Sequence, residues 1–103
     1  MDKLSIAKAK ELRGEIIRKL YTCYESPVLI ASLNTLLRYN GYYSKEDIKR
    51  AMNYLSDEKK HEDNYVRINL DKDDYWASFA QLTPEGVKLA EGDRTDAGVL
   101  FNE

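Results

Sequence analysis

Ser44-Lys-Glu-Asp-Ile-Lys-Arg-Ala-Met-Asn-Tyr-Leu55 is the stretch that decides the fold, because it has both the start signal and the periodicity of an amphipathic helix. Ser44 is a favoured N-cap residue, and Asp47 stands where a capping-box acid can reach back to the cap. The apolar residues recur at the i, i+3, i+4, i+7 spacing of a buried stripe, which comprises Ile48, Ala51, Met52 and Leu55. The sequence therefore predicts a helix over residues 44–57 with one face in the core.

The opposite face of this helix is polar. At about 100° per residue, that face carries Glu46, Lys49, Arg50, Asn53 and Asp57. Two cations and an amide on a face with few apolar atoms are typical either of a nucleic-acid recognition surface or of a face turned to solvent. Both interpretations stay open at this point.

The composition predicts one globular domain without a membrane segment. The chain has 103 residues, of which 43% are hydrophobic and 33% charged, enough to form a single core. No apolar run approaches the roughly 18 residues of a membrane span, and the N-terminus lacks the apolar block of a signal peptide. One cysteine excludes an intramolecular disulfide, so we expect a cytoplasmic protein.

Charge is distributed unevenly along the chain. The net charge is −2, which is unusual for a protein that binds nucleic acid. Residues 1–60 nevertheless hold 12 Lys and Arg against 8 acids, whereas residues 61–103 hold 4 against 10. A positive half beside an acidic half forms a dipole that can steer a polyanion towards the first half.

Two further helices are predicted before Ser44. The first spans residues 3–24 and ends at Glu25-Ser26-Pro27. Its buried stripe comprises Ala9, Leu12, Ile16, Leu20 and Cys23. Val28-Leu29-Ile30 is either a three-residue strand, which we favour, or the first turn of the next helix.

The second helix spans Ala31–Tyr39, and Asn40-Gly41 ends it. Its core-facing residues are Leu33, Leu36 and Leu37. A tight turn joins this helix to the helix that begins at Ser44, which is the helix-turn-helix arrangement.

The second half of the chain predicts a β-hairpin. Tyr65–Leu70 alternates, with Val66, Ile68 and Leu70 on one face and the other three residues on the opposite face. Asp71–Asp74 is a turn, and Tyr75–Leu82 is the second strand, which gives a hairpin with a four-residue loop.

A last helix and a tail follow the hairpin. Thr83 is the expected N-cap of the helix, Pro84 its first residue and Gly92 its end. Residues 1–92 are thus the predicted domain and residues 93–103 a C-terminal tail. The apolar tip of the tail, Val99–Phe101, is expected to dock either on its own domain or on a second copy of the chain.

The order helix, short strand, helix, turn, helix, hairpin, helix resembles the winged helix-turn-helix superfamily. The residues that carry the resemblance are Ser44–Ile48 with Ala51–Leu55, the Val66/Ile68/Leu70 strand and Leu82-Thr-Pro-Glu-Gly86. Over residues 10–92 the chain looks most like small bacterial and prophage-encoded winged-helix proteins, in which Leu-Thr-x-x-Gly follows the wing. The resemblance implies an α+β fold with a three-helix core, a β-hairpin wing and a C-terminal helix.

The resemblance also implies a small bacterial or phage transcriptional regulator whose third helix enters the major groove of double-stranded DNA. Arginine can pair with guanine, asparagine with adenine, and lysine or a tyrosine phenol with phosphate. The implied DNA-contacting residues are Tyr43, Lys45, Glu46, Lys49, Arg50, Asn53, Lys59 and Lys60. We expect helix 1 and the tail to provide self-association as a homodimer, since such regulators often read two-fold sites.

The acidic turn favours a second interpretation. Asp71-Lys-Asp-Asp74 would be the tip of the wing, and phosphate repels three carboxylates. A winged-helix module that binds a protein partner without contacting DNA is therefore the alternative. The acids also resemble part of a calcium loop, but the later Gly and Glu of that loop are missing, which favours a plain turn.

Enzymatic activity has no support in the sequence. There is no glycine-rich phosphate loop, no nucleophile motif and no Cys/His spacing for a metal. His61 is the only histidine and stands in a charged segment. We therefore expect no catalytic residues, no metal and no cofactor, and we expect Cys23 to be a core residue rather than a reactive thiol.

Overall fold

The computed structural model describes residues 5–40, 43–57 and 64–101, without the side chain of Asn40. Within these residues the protein is α+β, with four α-helices and a small three-stranded antiparallel sheet. The helices are α1 (Ile6–Tyr21), α2 (Ile30–Asn40), α3 (Lys45–Leu55) and α4 (Pro84–Glu91), and the strands are β1 (Val28–Leu29), β2 (Val66–Asn69) and β3 (Phe79–Leu82). The α+β class and the predicted order of helices and strands are confirmed.

Local capping signals fix the ends of α3 and α4, as predicted. The Ser44 hydroxyl accepts from the backbone N–H of Asp47 at 3.1 Å, and the Asp47 carboxylate accepts from the N–H of Ser44 at 2.9 Å. The Thr83 hydroxyl caps α4 by accepting from the backbone N–H of Gly86 at 3.1 Å, and Pro84 is the first residue of the helix. Gly92 ends α4 in the left-handed conformation at φ 86°, which glycine adopts without strain.

Three helices form the core around the predicted stripe of α3, whose four apolar residues are all buried. The stripes of α1 and α2 pack against it, including Leu12, Ile16, Leu20, Leu33 and Leu37. Fully burying one such side chain stabilises the fold by about 1.5–3 kcal/mol. No helix in the described part of the chain is long and apolar enough to cross a membrane.

Two residues assigned to the core are in fact exposed. Leu36 is 51% exposed, because the α2 residues that face the core are Leu33 and Leu37, one turn apart. Cys23 is also exposed. The reason is that α1 ends at Tyr21, so that Cys23 lies in the turn after the helix and not on its stripe.

The sheet has the strand order β1-β3-β2. Val66 lies opposite Leu82 and Ile68 opposite Ala80, and these residues face the core, so Val66 and Ile68 share one face as predicted. Leu70 was wrongly assigned to that face, because it lies beyond the end of β2 and is exposed. Ile30 begins α2, which shortens β1 to two residues.

Tyr65 was grouped with Arg67 and Asn69 on one face of the strand, but it does not share their exposure. Its side chain is only 1% exposed, because the residue precedes β2 and therefore does not follow the alternation of the strand. Its hydroxyl donates to the Asp96 carboxylate at 2.6 Å.

The predicted four-residue hairpin loop is also wrong. β3 begins only at Phe79, and Tyr75–Ala77 forms a turn of 3-10 helix rather than part of a strand. Asp74 caps this turn by accepting from the backbone N–H of Trp76 at 3.0 Å. Residues 70–78 therefore form one long connection between β2 and β3.

The C-terminal tail docks on α1 of its own chain as far as Phe101. Val99 is buried, and the backbone N–H of Leu100 donates to the carbonyl oxygen of Lys10 at 3.0 Å. Gly14 permits this approach, since a Cβ atom there would lie 2.1 Å from the carbonyl oxygen of Leu100.

Candidate nucleic-acid interface

The polar face of α3 is the candidate interface. Five of the eight predicted contact residues lie on it with exposed side chains: Lys45, Glu46, Lys49, Arg50 and Asn53. The capping box fixes where the helix begins, and the buried stripe fixes its rotation. Together they present these five side chains on the side of the helix away from the core.

Tyr43 is placed differently. It is half-buried and packs against the core from the position just before the α3 cap. Burial raises the pKa of its phenol, and the nearby acids Glu15 and Glu11 of α1 raise it further. Tyr43 therefore lies between α1 and the start of α3, where an apolar residue preceding the N-cap commonly sets the entry angle of the chain.

The remaining two predicted contacts, Lys59 and Lys60, lie outside the described residues. The same holds for His61, the single histidine.

Arg50 is engaged by acids of its own helix. Its guanidinium lies 3.7 Å from Glu46 and 3.5 Å from Asp47, with the arginine side chain 58% exposed. Ion pairs of this kind at a surface contribute about 0–1 kcal/mol. A guanine edge or a phosphate can therefore compete with them for the guanidinium.

Lys45 and Lys49 lie beside the aromatic rings of Trp76 and Tyr75, two residues predicted to belong to a strand. The Lys45 ammonium is 5.3 Å from the ring centroid of Trp76, and the Lys49 ammonium is 4.9 Å from that of Tyr75. The two rings meet edge to face, with centroids 5.2 Å apart. Such cation–π contacts are worth about 0.5–1 kcal/mol at exposed sites and orient the lysines without removing their charge.

The signal for this arrangement was present in the sequence. Two acids followed by Tyr75-Trp76-Ala77 break the polar–apolar alternation that a strand requires. Asp74 is also a favoured capping residue for a helical turn. Together these two signals predict a helical turn that places the rings of Tyr75 and Trp76 near the helices.

The acids of the β2–β3 connection have structural roles in the described chain. The Asp71 carboxylate accepts from the backbone N–H groups of Asp73 and Asp74, at 2.9 and 3.1 Å. Asp74 caps the 3-10 turn. These contacts account for two of the three acids as turn-forming residues. Within the described ranges, no three His, Cys, Asp or Glu residues are grouped as a metal site requires.

The chemistry of this surface is suited to recognition. The α3 face offers two ammonium groups, one guanidinium and one amide, which are donors for phosphate oxygens and base edges. A helix about 10–12 Å across fits the major groove of B-DNA, which is about 12 Å wide. No protein-family model matches this chain, and searches of the curated proteins and of the solved structures likewise find no match.

Proposed function

We propose that the protein is a winged helix-turn-helix DNA-binding protein, a small regulator of bacterial or phage type, that reads double-stranded DNA with the exposed face of α3. The observation that carries the proposal is that α3 begins soon after the end of α2 in the sequence. It presents Lys45, Lys49, Arg50 and Asn53 together on one uncovered face of the described chain. In this proposal the β2–β3 hairpin is the wing.

The uneven charge of the sequence supports the same surface. α3 belongs to the half of the chain with an excess of four cations, whereas the hairpin connection and the tail belong to the acidic half. An approaching duplex is therefore attracted to α3 and repelled by the connection around Asp71–Asp74. We infer that α3 makes the principal contact and that the tip of the wing stays away from the phosphates.

The test is a titration of a fluorescently labelled pool of random duplex DNA at about 50 and 200 mM salt. Lys49→Ala/Arg50→Ala should weaken binding by roughly 5- to 150-fold, which corresponds to about 1–3 kcal/mol. Arg67→Ala/Lys88→Ala is the matched control, because it removes two exposed cations from β2 and α4. Equal losses of DNA affinity in the two variants would show that binding depends only on the net charge of the protein and not on the α3 face.

A protein-interaction module is the second candidate, and one structural observation favours it. Leu36 and Tyr39 of α2 are 51% and 88% exposed, and both are large apolar side chains on the same helix. Residues three apart are neighbours on a helix surface, and contiguous exposed apolar side chains are typical of contact surfaces between proteins. If the wild-type protein fails to bind any duplex at the lower salt concentration, the DNA-binding proposal is wrong and this candidate replaces it.

A further inference from the structure

A polar cleft of about 210 Å³ lies between α1 and α3, at one border of the candidate interface. It is lined by Arg13, Arg50, Asn53, Tyr54 and Asp57. Three of these residues carry donors that suit an anion, and Arg50 and Asn53 belong to the face already assigned to DNA. The cleft therefore extends the recognition face onto α1.

Arg13 is held in one orientation within the cleft. Its Nη1 donates to the carbonyl oxygen of Gly98 at 2.9 Å, and its guanidinium carbon lies 3.9 Å from the ring centroid of Tyr54. Its Nε is buried and has no hydrogen-bond partner within the described residues. A buried donor without an acceptor is unfavourable, so an acceptor that reached this nitrogen would recover the cost of leaving it unpaired.

Residues of the C-terminal tail hold the two groups that position Arg13. The Tyr54 hydroxyl donates to the Asp96 carboxylate at 3.1 Å, and the same oxygen accepts from the backbone N–H of Gly98 at 2.7 Å. The tail thus fixes both the ring under the guanidinium and the carbonyl that binds it. Pre-organised groups lose less conformational entropy when a ligand binds.

We propose that this cleft binds one phosphate of the DNA backbone beside the groove that α3 enters, an inference that rests on the proposed function. The planar guanidinium of Arg13 matches the geometry of two phosphate oxygens, which a lysine cannot reproduce. Arg50 adds a second positive charge and Asn53 an amide donor. Asp57 opposes an anion, and Arg50 is already paired with Glu46 and Asp47, so the attraction for a phosphate rests on directed donors and not on an excess of positive charge.

The experiment compares Arg13→Gln with Lys8→Gln in the full-length chain, using the labelled duplex pool at several salt concentrations. Both variants lose one cation from α1, but Lys8 is exposed, lies outside the cleft and forms a surface ion pair with Glu11. We expect Arg13→Gln to weaken binding about tenfold and to lower the slope of log K against log salt by about 0.9, the value for one phosphate contact. We expect Lys8→Gln to change the affinity less than about twofold.

Arg13→Gln could release the tail or fail to fold, which thermal melting would detect. A second pair of variants, Arg13→Lys and Lys8→Arg, therefore keeps the charge at each position. Arg13→Lys keeps the charge but loses the planar fork, so it should bind more weakly than Lys8→Arg. Equal affinities and salt slopes within each pair, with wild-type binding intact, would overturn the phosphate site and leave the proposed function standing. Absence of wild-type binding would instead overturn the proposed function and this site together.

Discussion

Gly14 and Leu100 are in direct backbone contact, because the C-terminal tail crosses α1 where that helix lacks a side chain. A Cβ atom added at Gly14 would meet the carbonyl oxygen of Leu100 at 2.1 Å and its carbonyl carbon at 2.8 Å. Helix propensity alone favours alanine over glycine in a helix by about 1 kcal/mol. Because of the contact with the tail, we expect glycine to be more favourable than alanine at position 14.

The first prediction is that Gly14→Ala destabilises the protein. The added methyl group must displace the backbone of the tail, so the free energy of unfolding should fall. Helix propensity alone would instead raise it by about 1 kcal/mol. Urea unfolding measures the effect. In a chain that ends at Gly98, the same substitution should become neutral or stabilising. A stabilising effect in the full-length chain would show that the tail does not dock on α1.

The second prediction concerns the carboxylate that anchors the tail. Asp96 accepts from the Tyr65 and Tyr54 hydroxyls and from the backbone N–H of Gly98. Hydrogen bonds to a charged group contribute about 1.5–3 kcal/mol each and are not additive, so Asp96→Ala should cost at least about 1.5 kcal/mol.

Asp93→Ala is the matched control for this measurement. Asp93 is an exposed acid three residues earlier in the same tail, and its loss should change the unfolding free energy by less than about 0.5 kcal/mol. Equal urea midpoints for the two variants would contradict the anchoring role of Asp96.

The third prediction is a loss of stability at alkaline pH. Burial raises the pKa of Tyr65 and of Tyr75 to about 12, and the hydrogen bond to Asp96 adds to the shift at Tyr65. The folded state therefore favours the neutral phenols. This contribution is complete below the ordinary tyrosine pKa of about 10 and is lost as the pH rises towards 12.

The Tyr75→Phe variant tests the effect of tyrosine ionisation without removing a hydrogen bond. The Tyr75 hydroxyl is buried without a hydrogen-bond partner in the described chain, so its removal should leave stability at neutral pH unchanged or increased. The same substitution should reduce the loss of stability above pH 10 or so, as followed by urea midpoints across this range. A steeper loss in the variant would contradict the assignment.

Local signals in the sequence were sufficient for the helices that define the candidate interface. The capping box at Ser44 and the spacing of Ile48, Ala51, Met52 and Leu55 fix the start and the rotation of α3, and both signals lie within the helix itself. Thr83-Pro84 and Gly92 define α4 in the same way. The exposure of Glu46, Lys49, Arg50 and Asn53 on one face follows directly from that periodicity.

The errors arose where distant contacts determine the structure. Tyr65 is buried with its hydroxyl bonded to Asp96, 31 residues later, and alternation within a strand carries no such information. Gly14 lowers the helix propensity of α1, and the tail that packs against it is distant in the sequence. The position of Arg13 likewise depends on the Gly98 carbonyl, 85 residues away. The cleft therefore could not be predicted from the pattern of α1 alone.

The measurement that tests the central claim most directly is a titration of ¹⁵N-labelled protein with duplex DNA at low salt, followed by amide chemical shifts. We predict that the largest changes fall on residues 45–53 of α3 and on the adjoining Tyr75 and Trp76, while Arg67 and Phe79 on the outer face of the sheet stay unchanged. Changes that cluster on that sheet face, or no changes at all, would contradict the claim that α3 is the DNA-reading element.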